Sequence, residues 1–208
     1  MDDTVTPPAV AIRTRALRKE FGSFVAVDNI DLEVYAGETF ALLGPNGAGK
    51  STFIRMLTTL TALTSGYAEV FGHDVERTPD AVRAVIGVVP QAMTSDPDLT
   101  AQENLNFYAG LYGVPRARCR ELSETLLQAV DLLKWRDKPV CTFSGGMRRL
   151  EIARSMIHQP RVLFLDEPTT GLDPASRIAM WETIGQLKRE THLTIFLTTH
   201  YMEEAENL

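Results

Sequence analysis

Residues 44–51 read Gly44-Pro45-Asn46-Gly47-Ala48-Gly49-Lys50-Ser51, which fits the pattern GxxxxGK[ST] without deviation. Glycines let the backbone N–H groups of such a loop converge on phosphate oxygens, and a helix beginning near Lys50 points its positive end at the same spot. Lys50 is then placed to reach β- and γ-phosphates, the Ser51 hydroxyl to ligate Mg²⁺, and Thr52 to add an α-phosphate contact. A plain glycine turn is the competing reading. The short apolar run Phe40-Ala41-Leu42-Leu43 before the loop, and the helical pattern from Lys50 to about Thr59 after it, weigh against that.

A second apolar run, Val162–Leu165, ends in Asp166-Glu167. If the run is a buried parallel strand, both carboxylates stand at its carboxyl end, the edge where open α/β sheets bind ligands. Asp166 is suited to hold Mg²⁺ through water, leaving Glu167 to polarise an attacking water as general base. Between loop and carboxylates lies Phe143-Ser144-Gly145-Gly146-Met147. A serine hydroxyl and two bare amides at the start of a helix make an anion site. One γ-phosphate site already exists at Lys50, so Ser144-Gly145-Gly146 is either an ordinary N-cap or half of a neighbouring molecule's site.

These groups need a scaffold, and 208 residues that are 44% hydrophobic can bury the core of one domain. Ala9–Leu17, Val25–Val34 and Thr39–Leu43 carry strand patterns broken at Phe21-Gly22 and Ala36-Gly37-Glu38. Thr78-Pro79 reads as N-cap and first helical residue for Asp80–Val85, followed by a strand over Gly87–Gln91. Thr100-Ala101-Gln102-Glu103 is a capping-box pattern opening a helical stretch. Leu122, Leu126, Leu127, Val130 and Leu133 line one helix face within it. A further helix is expected from Ser144 to about His158, another from Pro174 to Arg189, and a strand over Leu193–Thr198. Strands alternating with helices predict an α/β fold: a phosphate-loop core with a mainly parallel sheet, an N-terminal antiparallel β subdomain, and a helical subdomain inserted over about 92–145.

A formal net charge of −6 supplies no basic stripe for nucleic acid. Lys19, Arg148, Arg149 and Arg154 read as solvated charges on helix faces. No apolar run reaches the ~18–20 residues that span a bilayer, and the acidic Pro/Thr-rich start lacks the pattern of a signal peptide. Cys119 and Cys141 stand apart, as do His73, His158, His192 and His200, so no metal-ligand box is evident and reduced thiols in the cytosol are expected.

The glycine loop, Gln91, the SGG turn, the Leu165-Asp166-Glu167-Pro168 run and His200 occur in an order and spacing that resemble the ATPase subunit of ABC transporters. The resemblance covers nearly the whole chain and implies roles for matching positions. Phe21 would stack on adenine, where the family often has tyrosine, and Val27 would pack against ribose or base. Gln91 would sense Mg²⁺ and the attacking water while facing a membrane partner. Asp173 would cross a dimer interface, His200 would hold the γ-phosphate, and Ser144, Gly145 and Gly146 would bind ATP in trans.

Met147 replaces the glutamine common at the end of the signature and Phe143 its leading leucine; neither removes the serine hydroxyl or the glycine amides. With Thr199-His200-Tyr201-Met202-Glu203-Glu204-Ala205, the Met147 form looks like the drug- and polysaccharide-export ATPases that act with a separate ABC-2-type membrane protein. The resemblance therefore implies a homodimer or pseudo-dimer closing on two ATP and Mg²⁺, bound peripherally at the cytoplasmic face of the membrane through a transmembrane permease. Family members continue past the histidine with further strands and a helix, so a chain ending at Leu208 reads as a fragment. A soluble ABC-type ATPase of ribosomes or DNA is the alternative; the single domain and the lack of a basic tract weigh against it. A phosphate-loop kinase or GTP switch would leave the SGG turn idle.

Overall fold

The computed structural model describes residues 8–143 and 146–206. Strands β1 (Val10–Phe21) and β2 (Phe24–Tyr35) form a long antiparallel hairpin, with Ile12 opposite Val34 and Phe21 opposite Phe24. Its two-residue turn is Gly22-Ser23, with Gly22 at φ 59°. β3 (Thr39–Leu43) leads to helix α1 (Lys50–Leu57). Then come β4 (Ser65–Val70) and β5 (His73–Asp74), which complete the antiparallel sheet in the order β2-β1-β4-β5.

β4 has no counterpart in the sequence reading. Its residues alternate, with Ala68 and Val70 buried while Tyr67 and Glu69 face outward, but the pattern is only six residues long and opens on Ser65-Gly66. Gly66 is needed there. At φ 92° it lies against a bulge in β1, where a β-carbon would come within 2.2 Å of the Ala16 carbonyl oxygen.

Helix α2 (Pro79–Val85) follows with proline in its first turn, as expected, and runs directly into β6 (Ile86–Val89). Thr78 sits at the N-cap position but does not cap; its hydroxyl instead donates to the Asp74 carbonyl at 3.0 Å. The stretch before the next strand holds α3 (Ala101–Leu111), α4 (Arg116–Ala129), two short 3₁₀ turns at Leu133–Trp135 and Val140–Thr142, and α5 (Met147–Ser155). The Thr100/Glu103 capping box that starts α3 is formed in both directions.

β7 (Val162–Asp166), α6 (Pro174–Thr191), β8 (Thr194–Thr199) and the short α7 (Met202–Glu206) are the last of the described elements. β3, β8, β7 and β6 make an all-parallel sheet in that order. Its residues divide with the period of two that a strand dictates. Leu163, Leu165, Ile195 and Leu197 join one core with Leu105, Leu127, Leu150, Ile152 and Ile184. Val162, Phe164 and Phe196 join another with Phe53, Met56, Ile12 and Val34. Burial on both faces explains why β7 and β8 read as continuous apolar runs.

Candidate phosphate-binding and catalytic site

The parallel register sends β3, β7 and β8 out of the sheet on one side. β3 opens into Gly44, β7 ends on Asp166 and β8 on Thr199, so three carboxyl ends converge at one edge. A Gly44 amide bond to the Thr199 carbonyl (3.3 Å) ties the glycine loop to β8. Gly49 stands at φ 85° as the N-cap of α1, and a β-carbon there would lie 2.1 Å from the Ala26 carbonyl oxygen, so only glycine fits. Gly47, at φ 82°, faces open space. A cleft of about 380 Å³ runs along residues 46–52 and is closed by Phe24, Ala26, Gln91 and Glu167.

Lys50 is buried, its ammonium donating to the carbonyls of Gly44 (2.7 Å) and Pro45 (3.0 Å) and lying 3.3 Å from Glu167 Oε1. Glu167 is also buried and takes φ 47°, a left-handed conformation uncommon for a residue with a side chain. Its amide is held by both the carbonyl (3.2 Å) and the hydroxyl (3.1 Å) of Thr198. Around its carboxylate Gln91 Nε2 donates at 3.2 Å, Thr170 Oγ1 at 3.3 Å, and His200 Nδ1 stands 3.8 Å away. The Lys50–Glu167 pair shares its burial with further hydrogen-bond partners, which is the condition under which a buried ion pair is tolerated.

Asp166 accepts from Ser51 Oγ at 3.0 Å and from Thr198 Oγ1 at 2.7 Å. A hydroxyl and a carboxylate oxygen side by side at a phosphate cradle are hard donors of the kind Mg²⁺ takes, with phosphate oxygens and water supplying the rest of its shell. Among the described residues no group of three or more His, Cys, Asp and Glu could hold a metal alone. The donor set therefore fits a cation that arrives with its phosphates.

Several expectations need correcting. Val27 is buried in the core beneath the antiparallel sheet and does not line the cleft; Ala26 and Phe24 do, because successive strand residues face opposite ways. Phe21 is half exposed beside Phe24, with Lys19 Nζ 4.9 Å above its ring. Lys19 lies on β1, not on a helix, and its ammonium donates to the Ala62 carbonyl. Arg148 and Arg154 are buried, and Arg149 is partly buried against the Val130 carbonyl and Asp131.

Asp173 caps α6, accepting from the Ala175 and Ser176 amides at 3.1 Å; the Ser176 hydroxyl bond, then these amides, hold its carboxyl below the usual range. Ser144 and Gly145 lie outside the described residues. Gly146 is the buried N-cap of α5, and a β-carbon there would press on Leu132 and Phe143.

Thr198, Thr199 and Glu204 stand in runs that the sequence marks out, but their own part in the site is visible only in the structure. Buried Glu204 accepts from Thr169 Oγ1 and from Thr199 Oγ1, which fixes the turn carrying His200 to the loop after Glu167. Two threonines at the end of an apolar strand were the available signal, since buried hydroxyls require partners.

The model of the ABC transporter family matches residues 27–170. The chain is 48% identical to the daunorubicin/doxorubicin resistance ATP-binding protein DrrA of Streptomyces peucetius, over 98% of this chain and 62% of that protein. It is 44% identical to the Nod factor export ATP-binding protein I of Paraburkholderia xenovorans, over 97% of this chain and 66% of that one. It thus spans less than two thirds of the length of these curated relatives. Among solved structures, CbiO1 of Clostridium perfringens, part of the ABC transporter complex CbiONQ, superposes with a TM-score of 0.84 at 26% identity, covering 93% of this chain and 79% of that one. An ATP-binding cassette of an ABC transporter in its ADP conformation superposes at 0.82 with 24% identity, over 95% and 84% of the two chains.

Proposed function

The chain belongs to the ABC transporter family, and on that premise we propose that it binds ATP with Mg²⁺ and hydrolyses it to drive a separate membrane subunit of the export type. The observation that carries this reading is the meeting of Lys50, Ser51, Gln91, Asp166, Glu167 and His200 at one edge of the parallel sheet. Glycine-loop amides and Lys50 would bind the β- and γ-phosphates, with Ser51 and Asp166 holding Mg²⁺, which when bound offsets phosphate charge. Glu167 takes the proton of the attacking water, while Gln91 and His200, both beside its Oε2, orient that water and the γ-phosphate. Phosphate oxygens and Glu167 compete for the same Lys50 ammonium, so nucleotide binding and the freeing of the base are linked.

The relatives that carry resistance to daunorubicin or export Nod factor favour an exporter of drug, lipid or polysaccharide. No helix among the described residues is long and apolar enough to cross a membrane. In this reading the path for cargo belongs to a permease that the chain binds from the cytoplasmic side. Ser144-Gly145-Gly146 of one copy would complete the site of another, and Asp173 would lie at that interface. The test is ATP turnover against protein concentration. Turnover per chain should rise with concentration and vanish in Ser144→Arg; a strict monomer with an unchanged rate in that variant would refute the dimeric site.

A further inference from the structure

α5 begins at Met147, just after its N-cap Gly146, and lies along residues 90–95, the loop that leaves β6. Arg148, in its first turn, is buried and places Nη1 on the Pro90 carbonyl and Nη2 on the Gln91 carbonyl, both at 2.8 Å. One turn later, buried Glu151 accepts from the amides of Thr94 (2.8 Å) and Ser95 (2.6 Å) and from the Thr94 hydroxyl (2.8 Å). Arg154, another turn on, bonds Glu151 and Thr94 Oγ1 and lies 4.0 Å over the Tyr108 ring of α3. The loop is thus fastened at both ends by one face of α5. At its near end the side chain of Gln91 donates to Glu167.

Packing alone does not explain Arg148. Removing a guanidinium from water is expensive, and apolar side chains of similar volume often pack as stably in place of a buried charge. Desolvation pulls this guanidinium below its usual value. What a methionine there could not reproduce is the fork that fixes two successive carbonyls, and with them the direction of the Gln91 side chain.

We infer that Arg148 is a positioning residue for Gln91, and that Glu151 and Arg154 hold the rest of the loop, so that the placement of α5 governs whether Gln91 reaches Glu167. The inference rests on the proposed ATPase reading for its kinetic readout. It joins the Gly146 end of α5 to the carboxylate of Glu167, which follows β7.

The experiment compares Arg148→Met, Arg148→Lys, Gln91→Ala and the double variant Arg148→Met/Gln91→Ala in the full chain. Arg148 bonds the carbonyls of Pro90 and Gln91 and does not line the cleft along residues 46–52, so Arg148→Met should lower kcat by roughly 10–100-fold, the loss typical of an outer-shell partner, with KM for ATP held within about twofold. Because Arg148 acts through Gln91, the double variant should be no slower than Gln91→Ala alone. Arg148→Lys, with one ammonium for two carbonyls, should restore part of kcat. Amide hydrogen exchange over residues 90–95 should quicken in Arg148→Met while residues 44–52 keep their protection.

Independent, multiplying losses in the double variant, or unchanged exchange in 90–95, would overturn the inference. So would kcat, KM and the melting midpoint shifting together, which marks a merely structural role. If wild type hydrolyses no ATP, the functional reading fails and the exchange comparison alone decides this one. If Arg148→Met does not fold, Arg148→Lys carries the same comparison at smaller amplitude.

Discussion

β7 and β8 carry no charged side chain before Asp166, and covering layers bury both of their faces. β1 and β2 of the antiparallel sheet are built the other way. Ile12, Thr14, Leu17, Val27 and Val34 turn inward, while Arg13, Arg15, Asp31 and Glu33 face outward, with Arg13 bridging Glu33 and Glu69. The parallel sheet is held by packing that cannot shift without opening voids. The antiparallel sheet is held on its outer face by ion pairs in water, which are individually weak. The groups proposed for catalysis hang from the first sheet, and the second lines their cleft through Phe24 and Ala26. Chemistry that depends on placement within tenths of an ångström is attached to the stiffer of the two.

The sharpest way to break this contrast is at the edge of the parallel sheet itself. Glu167→Gln keeps the size and the Thr198 bonds to the backbone but removes the base, and should lower ATP turnover by about 10²–10⁴-fold. Nucleotide binding, followed with a fluorescent ATP analogue, should persist. Turnover within a few-fold of wild type would place the base elsewhere. Next is the packing behind that edge. Phe196 is fully buried between Phe40, Phe53 and Phe164, at centroid distances of 5.2, 5.8 and 5.5 Å, so Phe196→Ala should cost about 3–5 kcal/mol in denaturant melts. A loss under about 1 kcal/mol would show that the parallel core is looser than its burial implies.

Gly49 is where the two sheets meet, since its missing β-carbon makes room for the Ala26 carbonyl of β2. Gly49→Ala combines a left-handed φ with a clash that only backbone movement can relieve, and should cost about 1–3 kcal/mol while weakening ATP binding. Gly47→Ala shares the strained φ but meets nothing within 4 Å, so it should be milder in the melt. Equal costs for the two would mean that the close approach of the sheets does not matter.

What the sequence made legible follows the same division. A fully buried parallel strand and a glycine loop leave dense, local signals: one apolar run, one set of glycines, one Asp-Glu pair. Phe40–Leu43 and Val162–Leu165 were placed within a residue of their strands on that basis. β4 was missed because half of its six residues face water and its partner, the bulged β1, lies some fifty residues away. Arg148 and Arg154 were misread as solvated for a related reason. Charge on a helix looks the same in sequence whether it meets water or the carbonyls of a distant loop, and Pro90 and Gln91 are distant. Val27 failed on a period-two question that only the register of β2 answers. The pairing of Glu204 with Thr169 and Thr199 is a tertiary contact without a local pattern.

A smaller effect belongs to the joint between the helical stretch and β6. His158 stacks on Tyr112 at 3.8 Å and its Nε2 bonds the Ile86 carbonyl, leaving Nδ1 buried without a partner. Burial lowers its folded-state value below that of a free histidine, and the Ile86 bond offsets this only partly. With a depressed value in the folded state, the unfolded chain binds more protons below about pH 6.5, so stability is full above that pH and falls as the pH drops through it. Melting midpoints should therefore decline between about pH 7 and 5.5, and His158→Gln should flatten that decline. An unchanged slope would show that His158 does not carry it.

The smallest effect is expected on the outer face of the antiparallel sheet, at Glu33. Its carboxyl sits below the usual range because Arg13 and then Arg15 donate hydrogen bonds to it. A lowered carboxyl value contributes stability above the unfolded-state value, near pH 4.3, and loses it as the pH falls further. Because this cluster stands in water, the solvent already stabilises each charge, and holding long arginine side chains in one geometry costs entropy that offsets most of the gain. Glu33→Gln at neutral pH should shift the melting midpoint barely beyond error in dilute buffer. In about 1 M salt, where charges are screened beyond ~3 Å, the difference should disappear. A salt-independent loss comparable to that of Phe196→Ala would mean that the outer face is as tightly built as the parallel core, and the division of labour between the two sheets would not hold.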